Sequence, residues 1–502
     1  MLLAYVIAWV VSRVISDTNL DAPGDMLESV AWGQQWIWGT VKHPPLMTWI
    51  AGAWFTLAPT NDASYHLLAY LVSGLGLLGV YQLARAFGLE KIALAAVLLT
   101  SVALPFSNLA VRFNANTVLL IVWPWLAWSW LKAIHEPSYR YAILLGLLAA
   151  MSILGKYYSG VILLSIGIAT LTTPSGRKWL LSRYCIVAVS SGALLLAPHL
   201  YWLLENNFPT FQYLDEKSEG REPGFQSWIR FAFIPLIYCL IPWLFIAWIY
   251  APGESIWIRV KHFSSNLIIA WKPQKAHLPL FILVTGPWLF TLAIGATGAV
   301  ILRTPFAIPI VFACAILWLV NLNARHQVDL EIVTRKCRNL FAVWLCLVVG
   351  LAPVYAWQQA NRGAHNFYLP RAAAAQELLA AWNQDTNKLP LKWASGFWPE
   401  QTLVSFYGRD DIRILHGLPG QFPATVNEYT KWQTEPGLFV CPLGSEKKPF
   451  KSHCPSSVEQ WFHSKNLQPR VIEIEVAREG FRFSQRIRFR YRGYIYLPEF
   501  TE

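Results

Sequence analysis

Met151-Ser152-Ile153-Leu154-Gly155-Lys156-Tyr157-Tyr158-Ser159-Gly160-Val161-Ile162 lies inside an apolar stretch from about residue 140 to 172, and its reading decides the topology of the chain. If Gly155-Lys156-Tyr157-Tyr158 is a break, residues 140–154 and 158–172 are two short spans. If it is not, they are one long helix and every later loop changes side. A helix needs about 20 apolar residues to cross a bilayer, fewer where its neighbours bury it. On that basis eleven spans are expected, near 2–16, 64–84, 91–109, 116–133, 140–154, 158–172, 184–203, 228–250, 278–297, 300–322 and 339–357.

Charge chooses between the readings. With the break and the N-terminus inside, the inner loops hold Arg85, Lys91, Lys132, Arg140, Arg177, Lys178, Arg183, Arg259, Lys261, Lys272, Lys275, Arg325, Arg335, Lys336 and Arg338. The outer loops hold only Lys42, Arg112, Lys217, Arg221 and Arg303. Cytoplasmic loops carry the Lys/Arg excess. A ten-span chain would put the clusters at 259–275 and 325–338 outside, and is rejected. The segment 17–63, the loop 204–227 with its polar run at 215–222, and a domain formed by 363–502 then all lie outside, leaving 1–362 as the membrane domain.

Composition agrees. Of 502 residues, 55% are apolar and 14% charged, against roughly 25% charged in soluble domains. Aromatic residues reach 15%, as suits chain held at headgroup depth. The net charge of +12 belongs to inner loops and faces near anionic lipid, since no basic stretch is both long and solvent-borne as nucleic-acid binding requires. The N-terminal MLLAYVIAWVVSRVIS lacks a basic start and a small-residue cleavage site, so it reads as a retained span rather than a signal peptide; a start site placed slightly late gives the same beginning. Arg13 within it snorkels or pairs with a nearby carboxylate. Of seven Cys, five fall in or beside apolar spans. Cys441 and Cys454, in a polar region, can close a loop in an oxidising compartment or stay two separate thiols. Residues 372–383 predict a helix, and Arg482-Phe483-Ser484-Gln485-Arg486-Ile487-Arg488-Phe489-Arg490-Tyr491-Arg492 alternates with the period of a strand. The outer domain is therefore expected to be α+β.

The first outer loop holds the chemistry. Asp25 and Glu28 are three apart, so they share a helix face, and Gly24 before them with Trp32, Trp36 and Trp38 after suggests a helix on the membrane surface. Lys42-His43-Pro44-Pro45-Leu46 follows, a basic pair and a rigid turn leading to an apolar helix at 47–57. The plainer alternative is a capped surface helix with Lys42 and His43 reaching to headgroups. Acids and bases at one interface also suit a lipid phosphate sugar. Its phosphate leaving group needs cations or a metal, and the acceptor hydroxyl needs a carboxylate base. Arg112 and Lys156 add cations at the outer ends of spans, drawn to anionic lipid heads. His199 is either a ligand contact or a polar residue meeting the headgroups.

Asp25-x-x-Glu28, about ten residues to Gly39, then His43-Pro44-Pro45-Leu46 resembles the first periplasmic loop of bacterial family-39 glycosyltransferases of the GT-C superfamily. These include aminoarabinose and galacturonic acid transferases of lipid A and core and, more distantly, protein O-mannosyltransferases. Gly155-Lys156-Tyr157 resembles their Ser-Lys-Tyr signature, and Pro198-His199-Leu200-Tyr201-Trp202 their Pro-x-x-x-Trp. Asn114-Ala115-Asn116-Thr117 stands where members often have Asp-Ala-Pro or Asp-Thr-Pro, and Trp393–Trp398 with Phe406-Tyr407 looks like the galacturonosyltransferase C-terminal part. The likeness covers most of 15–410.

It implies an α-helical polytopic membrane protein of GT-C type, with about eleven transmembrane helices and a C-terminal α+β periplasmic domain, in the bacterial inner membrane. Asp25 would be the catalytic base of an inverting transfer from a polyprenyl-phosphate sugar donor to lipid A, lipopolysaccharide core or another envelope acceptor, with Glu28 as second carboxylate. Lys42, His43, Arg112, Lys156, Tyr157, His199 and Arg303 would bind substrate. No cofactor is demanded, and a divalent cation is one option. Two departures stand out: Met26 follows Asp25 where members often carry adjacent Asp-Glu, and the aspartate usual near position 114 is absent, which weakens a metal site there. Rival functions are protein O-glycosylation by the same chemistry and, in another class, a flippase for lipid-linked sugar. A transporter would show internal repeats and polar residues deep in mid-span, whereas the charges here collect at outer span ends.

Overall fold

Lipid offers no partner for backbone N–H and C=O groups, so a spanning chain must satisfy them within helices. The structure, a computed structural model, describes residues 1–17, 19–21, 24–218, 225–253, 255–298, 300–361, 369–408, 411–415, 417–418, 430–445, 448–449, 453–478 and 487–498. It is mostly helical, a multi-pass membrane protein with a small mixed sheet near the C-terminus. Among the described residues four helical segments are long and apolar enough to cross a bilayer: Asp62–Ala86, Arg183–Glu205, Lys275–Ala296 and Thr304–His326. Three bent pairs bring this to seven if each is one span: Tyr157–Leu171 with Pro174–Leu180, Phe225–Tyr238 with Leu240–Ile249, and Leu330–Gly350 with Ala352–Asn361. Leu2–Ser16, Leu46–Phe55 and Tyr139–Gly155 are apolar but shorter.

The break at 155–158 is real. Helix Tyr139–Gly155 stops where Lys156 turns extended, at φ −169° and ψ 134°. A 3₁₀ turn, Tyr157–Ser159, leads into helix Gly160–Leu171. The expected span at 91–109 is instead helix Glu90–Val102 followed by two 3₁₀ turns, the first of them containing Pro105, which cannot donate to a helical ladder.

The chain divides into two compact units. One gathers Met1–Trp9, Trp38–Met47 and Ala69–Val348. Small residues let its helices meet: a Cβ on Gly146 would lie 2.1 Å from the Ala188 carbonyl oxygen, and one on Gly192 2.9 Å from that of Gly146, the close approach that packs helices in lipid. Two of its buried indoles bond across helices, Trp130 donating to Thr170 Oγ1 at 2.7 Å and Trp123 to Ser159 Oγ at 3.1 Å.

The other unit gathers Val10–Ile37, Thr48–Leu68 and Val349–Glu502, a grouping that differs from the simple cut at 362/363. Its sheet comprises β1 (Trp393–Gly396), β2 (Arg413–Ile414), β3 (Gly437–Ser445), β4 (Lys448–Pro449), β5 (Arg470–Arg478) and β6 (Ile487–Tyr496). The order is β2-β1-β3-β6-β5, with β4 paired to β3. β1 runs parallel to β2 and β3, and the other pairings are antiparallel. Helix Arg371–Asp385 covers one face through Leu378 and Trp382, against Leu438, Val440 and Ile495. Helix Cys454–Ser464 covers the other through Val458 and Phe462, against Phe439 and Tyr494. The predicted helix at 372–383 and the strand period at 487–492 are both present; 482–486 lie outside the described residues, as do 219–222 of the polar run.

Cys441 of β3 and Cys454 at the start of the covering helix are disulfide-bonded, with Cα atoms 5.6 Å apart. The bond closes a loop of 13 residues, which by loop entropy is worth about 2–4 kcal/mol. Replacing both with Ser is expected to speed limited proteolysis of the C-terminal part, while non-reducing peptide mapping of the unaltered protein recovers 441 and 454 linked.

Candidate functional site

In the first unit the site is built around the residues that break the long apolar stretch. Lys156 makes the last ladder bond, its amide donating to the Ser152 carbonyl at 3.1 Å, and its extended backbone then ends the helix. Its ammonium bonds Asn116 Oδ1 and lies 4.5 Å from the centre of the Phe306 ring. Asn116 is presented by a turn that Asn114 organises: Asn114 Oδ1 accepts from the Asn116 and Thr117 amides at 2.8 and 3.2 Å. Thr117 Oγ1 donates to the Arg112 carbonyl at 2.7 Å, so Arg112 sits on the same turn, half-buried.

Lys42 and His43 arrive on a second tight turn. Thr40 Oγ1 donates to the His43 carbonyl at 2.8 Å and accepts from the His43 amide at 2.9 Å. Burial, then the charges of Lys156 and Lys42, hold the His43 imidazole well below its usual range. Lys42, His43 and Lys156 therefore form one cluster, but with two cations rather than three: His43 is neutral at pH 7 and serves as a hydrogen-bonding group.

Tyr157, next to Lys156, points its hydroxyl at His199 Nε2, 2.7 Å away, and His199 Nδ1 lies 2.7 Å from the Trp38 carbonyl. A carbonyl can only accept, so Nδ1 carries the proton and neutral His199 accepts from Tyr157. Stacking of Tyr157 on Phe211 and of His199 on Trp202 completes the aromatic wall. His199 is buried, a fixed element of this wall rather than a residue at the headgroups. Arg303 is exposed, at the start of the 3₁₀ turn Thr304–Ala307 that carries Phe306.

Asp25 and Glu28 belong to the second unit. Asp25 opens helix Asp25–Gly33 after Gly24, whose φ of +80° suits a residue without Cβ; a Cβ there would also lie 2.3 Å from Pro399. The helix is not a surface helix. Met26 through Gly33 are buried, and only Asp25 is half-exposed. The apolar residues between the two acids pack inward because the C-terminal part covers them: Ala31 joins the core of the sheet domain, and the Trp32 and Trp398 rings lie 5.3 Å apart. Glu28, buried, accepts from Trp398 Nε1 at 2.8 Å. Asp21 Oδ1 accepts from the Met26 amide at 3.1 Å.

Sequence reading missed the group that fixes this segment. Buried Arg371 bonds both Glu400 oxygens and donates to the carbonyls of Leu20 at 2.8 Å and Asp21 at 2.9 Å. The Tyr407 hydroxyl accepts from the Leu20 amide at 3.2 Å and donates to Asp62 Oδ1 at 2.6 Å. Burial, then the Asp62 carboxylate, hold that phenol protonated. Arg371 stands at the edge of the predicted helix and Tyr407 in the quoted Phe406-Tyr407, yet nothing local marks partners some 350 positions away. Arg13 pairs with Asp17 at 3.1 Å, both buried. Among the described residues no group of three or more His, Cys, Asp or Glu side chains is placed to hold a metal ion, so no residue is assigned to a divalent cation.

Three comparisons bear on this geometry. Residues 42–202 match the family model described as dolichyl-phosphate-mannose-protein mannosyltransferase. Lipid A galacturonosyltransferase RgtD of Rhizobium johnstonii is 23% identical over 300 residues, 56% of this chain and 59% of that protein; the chain thus spans about three fifths of the curated relative's length. Crystal structures of ArnT from Cupriavidus metallidurans, one bound to undecaprenyl phosphate and one apo, are 14% identical, cover 97% of both chains and give TM-scores of 0.58 and 0.57. The chain shares their fold, which is the helical membrane fold with a C-terminal α+β part expected from the sequence.

Two measurements check the site. A neutral His43 implies that the unfolded chain, with an ordinary pKa near 6.5, takes a proton the folded chain refuses. Its contribution to stability is therefore complete above about pH 6.5 and falls as pH drops below that. Histidine NMR of the detergent-solubilised protein should show the His43 ring unprotonated at pH 6, where exposed histidines titrate, and Lys156→Met should raise its pKa. Glu400→Gln leaves the Arg371 charge buried without its counter-ion, a loss of about 3–5 kcal/mol, read as a lower thermal midpoint; a midpoint equal to that of the unaltered protein would contradict this.

Proposed function

We propose that the chain is an inverting glycosyltransferase that moves a sugar from a polyprenyl-phosphate carrier to a periplasmic acceptor, lipid A or lipopolysaccharide core, in the bacterial inner membrane. The observation that carries the reading is the pair of ammonium groups, Lys42 and Lys156, gathered on a neutral His43. Two cations suit the doubly charged phosphate that leaves when the anomeric C–O bond breaks, and a neutral imidazole donates a hydrogen bond without needing a counter-ion of its own. The likeness to ArnT, determined with undecaprenyl phosphate, and to a lipid A galacturonosyltransferase supports the same donor and acceptor classes.

In this mechanism Asp25, the half-exposed acid of its helix, takes the proton of the acceptor hydroxyl as that oxygen attacks the anomeric carbon. The C–O bond to the carrier phosphate breaks on the opposite face, so configuration inverts. Lys42 and Lys156 neutralise the departing phosphate and His43 donates to it. Tyr157, His199 and Arg112 shape the surroundings, Arg303 meets the headgroup of the donor from the exposed side, and Glu28 positions Asp25. A protein hydroxyl acceptor is the second reading, favoured by the description of the family model matched at 42–202.

Mass spectrometry of lipid A and core sugars tests this in cells with the protein, without it, and with Asp25→Asn. One glycosyl unit should vanish in both defective strains, since losing a general base lowers turnover roughly 10²–10⁴-fold. A glycan profile unchanged by Asp25→Asn at normal protein level rules the enzyme out. A unit that disappears from envelope proteins, with lipid A and core intact, selects the protein acceptor.

A further inference from the structure

Helix Asp25–Gly33 has the acid at its first residue, and its other end opens on a cavity of about 640 Å³. Gly33 and Gly52 both line that cavity. A Cβ on Gly33 would lie 2.8 Å from the Gly52 nitrogen, and one on Gly52 2.6 Å from the Gly33 oxygen. Two backbones thus cross here without side chains between them. Val30, Phe55 and Ile412 make apolar walls, and Gln34, Gln35, Trp36, Asp411 and Arg413 supply the polar edge.

The edge residues are fixed rather than loose. Gln34 donates its amide nitrogen to Ser405 Oγ at 2.7 Å, and Gln35 donates to the Ile414 carbonyl at 3.0 Å. With one N–H of each amide engaged, the amide oxygens and the second N–H are what these side chains offer a ligand. Trp36 is 50% exposed and has φ of +50°, a left-handed conformation that is costly for a bulky residue and tends to be kept where function uses it. The volume suits a small-molecule site. A presented indole meets the C–H face of a sugar ring, while the amide oxygens and the Asp411 carboxylate accept from its hydroxyls. Asp411 and Arg413 cancel in charge, so a phosphate would face an acid as well as a base, and an acyl chain would desolvate the whole polar edge without replacing its bonds.

We infer that this cavity is a carbohydrate subsite that holds one hexose ring of the acceptor glycan. The inference rests on the glycosyltransferase reading above and deepens it. At about 1.5 Å per residue the helix sets Val30, at the near edge of the cavity, roughly 8 Å from Asp25 and Gly33 roughly 12 Å from it. The ring held there is therefore a neighbour of the one that receives the new sugar, and holding it selects which hydroxyl reaches the acid.

The test uses the full chain in detergent and, as soluble probe, deacylated lipopolysaccharide core oligosaccharide, followed by saturation-transfer NMR and titration. Trp36→Asn removes the ring but keeps a residue that tolerates left-handed backbone, and Asp411→Asn removes the carboxylate. Both should bind the probe at least tenfold more weakly than the unaltered protein, and Leu57→Ser, at a 91% exposed position, should bind as the unaltered protein does. Equal binding in the two variants, or none by the unaltered protein, overturns the subsite. The same variants in cells separate the two failures. If Trp36→Asn and Asp411→Asn keep the normal glycan while Asp25→Asn loses it, the subsite is wrong and the enzyme stands; if all three keep it, the enzyme reading falls and takes the subsite with it.

Discussion

A guanidinium with no water around it must be met on every side, and Arg371 is met by Glu400 and by the carbonyls of Leu20 and Asp21. Burying a charge is tolerated only when it is paired and hydrogen-bonded, so the requirement runs both ways. The C-terminal domain cannot close around Arg371 without the segment before Asp25, and that segment has no fixed course without Arg371. Tyr407, Trp398 and Pro399 tighten the same grip on residues 20–28. The half-exposed Asp25 is thus held in place from the far end of the chain.

The cationic side is organised by different physics. Lys156 is displaced from helical geometry and captured by an amide oxygen and an aromatic face, both of which accept a cation without neutralising it. Its charge is kept available, and burial first, then proximity to that charge, keeps its neighbour His43 neutral. A carboxylate in place of Asn116 would have consumed that charge.

Much of this was legible in sequence, and the reasons are local. Gly155-Lys156-Tyr157 could be read as a break because glycine ends helices and a lysine disrupts an apolar run. The helix at 372–383 and the alternation at 487–492 follow from short periods in the chain. Membrane helices were legible as apolar windows, though the span at 91–109 was not, since Pro105 shortens it. The error over helix Asp25–Gly33 has one cause: a Trp-rich segment with two acids looks amphipathic until the covering surface is known, and that surface comes from the far end of the chain. The bond from Trp398 to Glu28 is likewise hidden from a local reading, and His43 reads as a cation when burial makes it neutral. Partners some 350 positions apart leave no periodic trace.

That separation also governs biosynthesis. Asp21 and Arg371 are 350 positions apart, and Glu28 and Trp398 are 370 apart. At roughly 5–20 residues per second, the acid-bearing helix emerges and then waits on the order of 20–70 s before its partners are made. During that interval the helix has Tyr65 and Gly52 beside it, but the side that later meets Trp398 and the sheet domain has no partner yet made. A premature stop between residues 362 and 371 would leave the spans intact and the acid-bearing helix without Arg371 and everything that follows it.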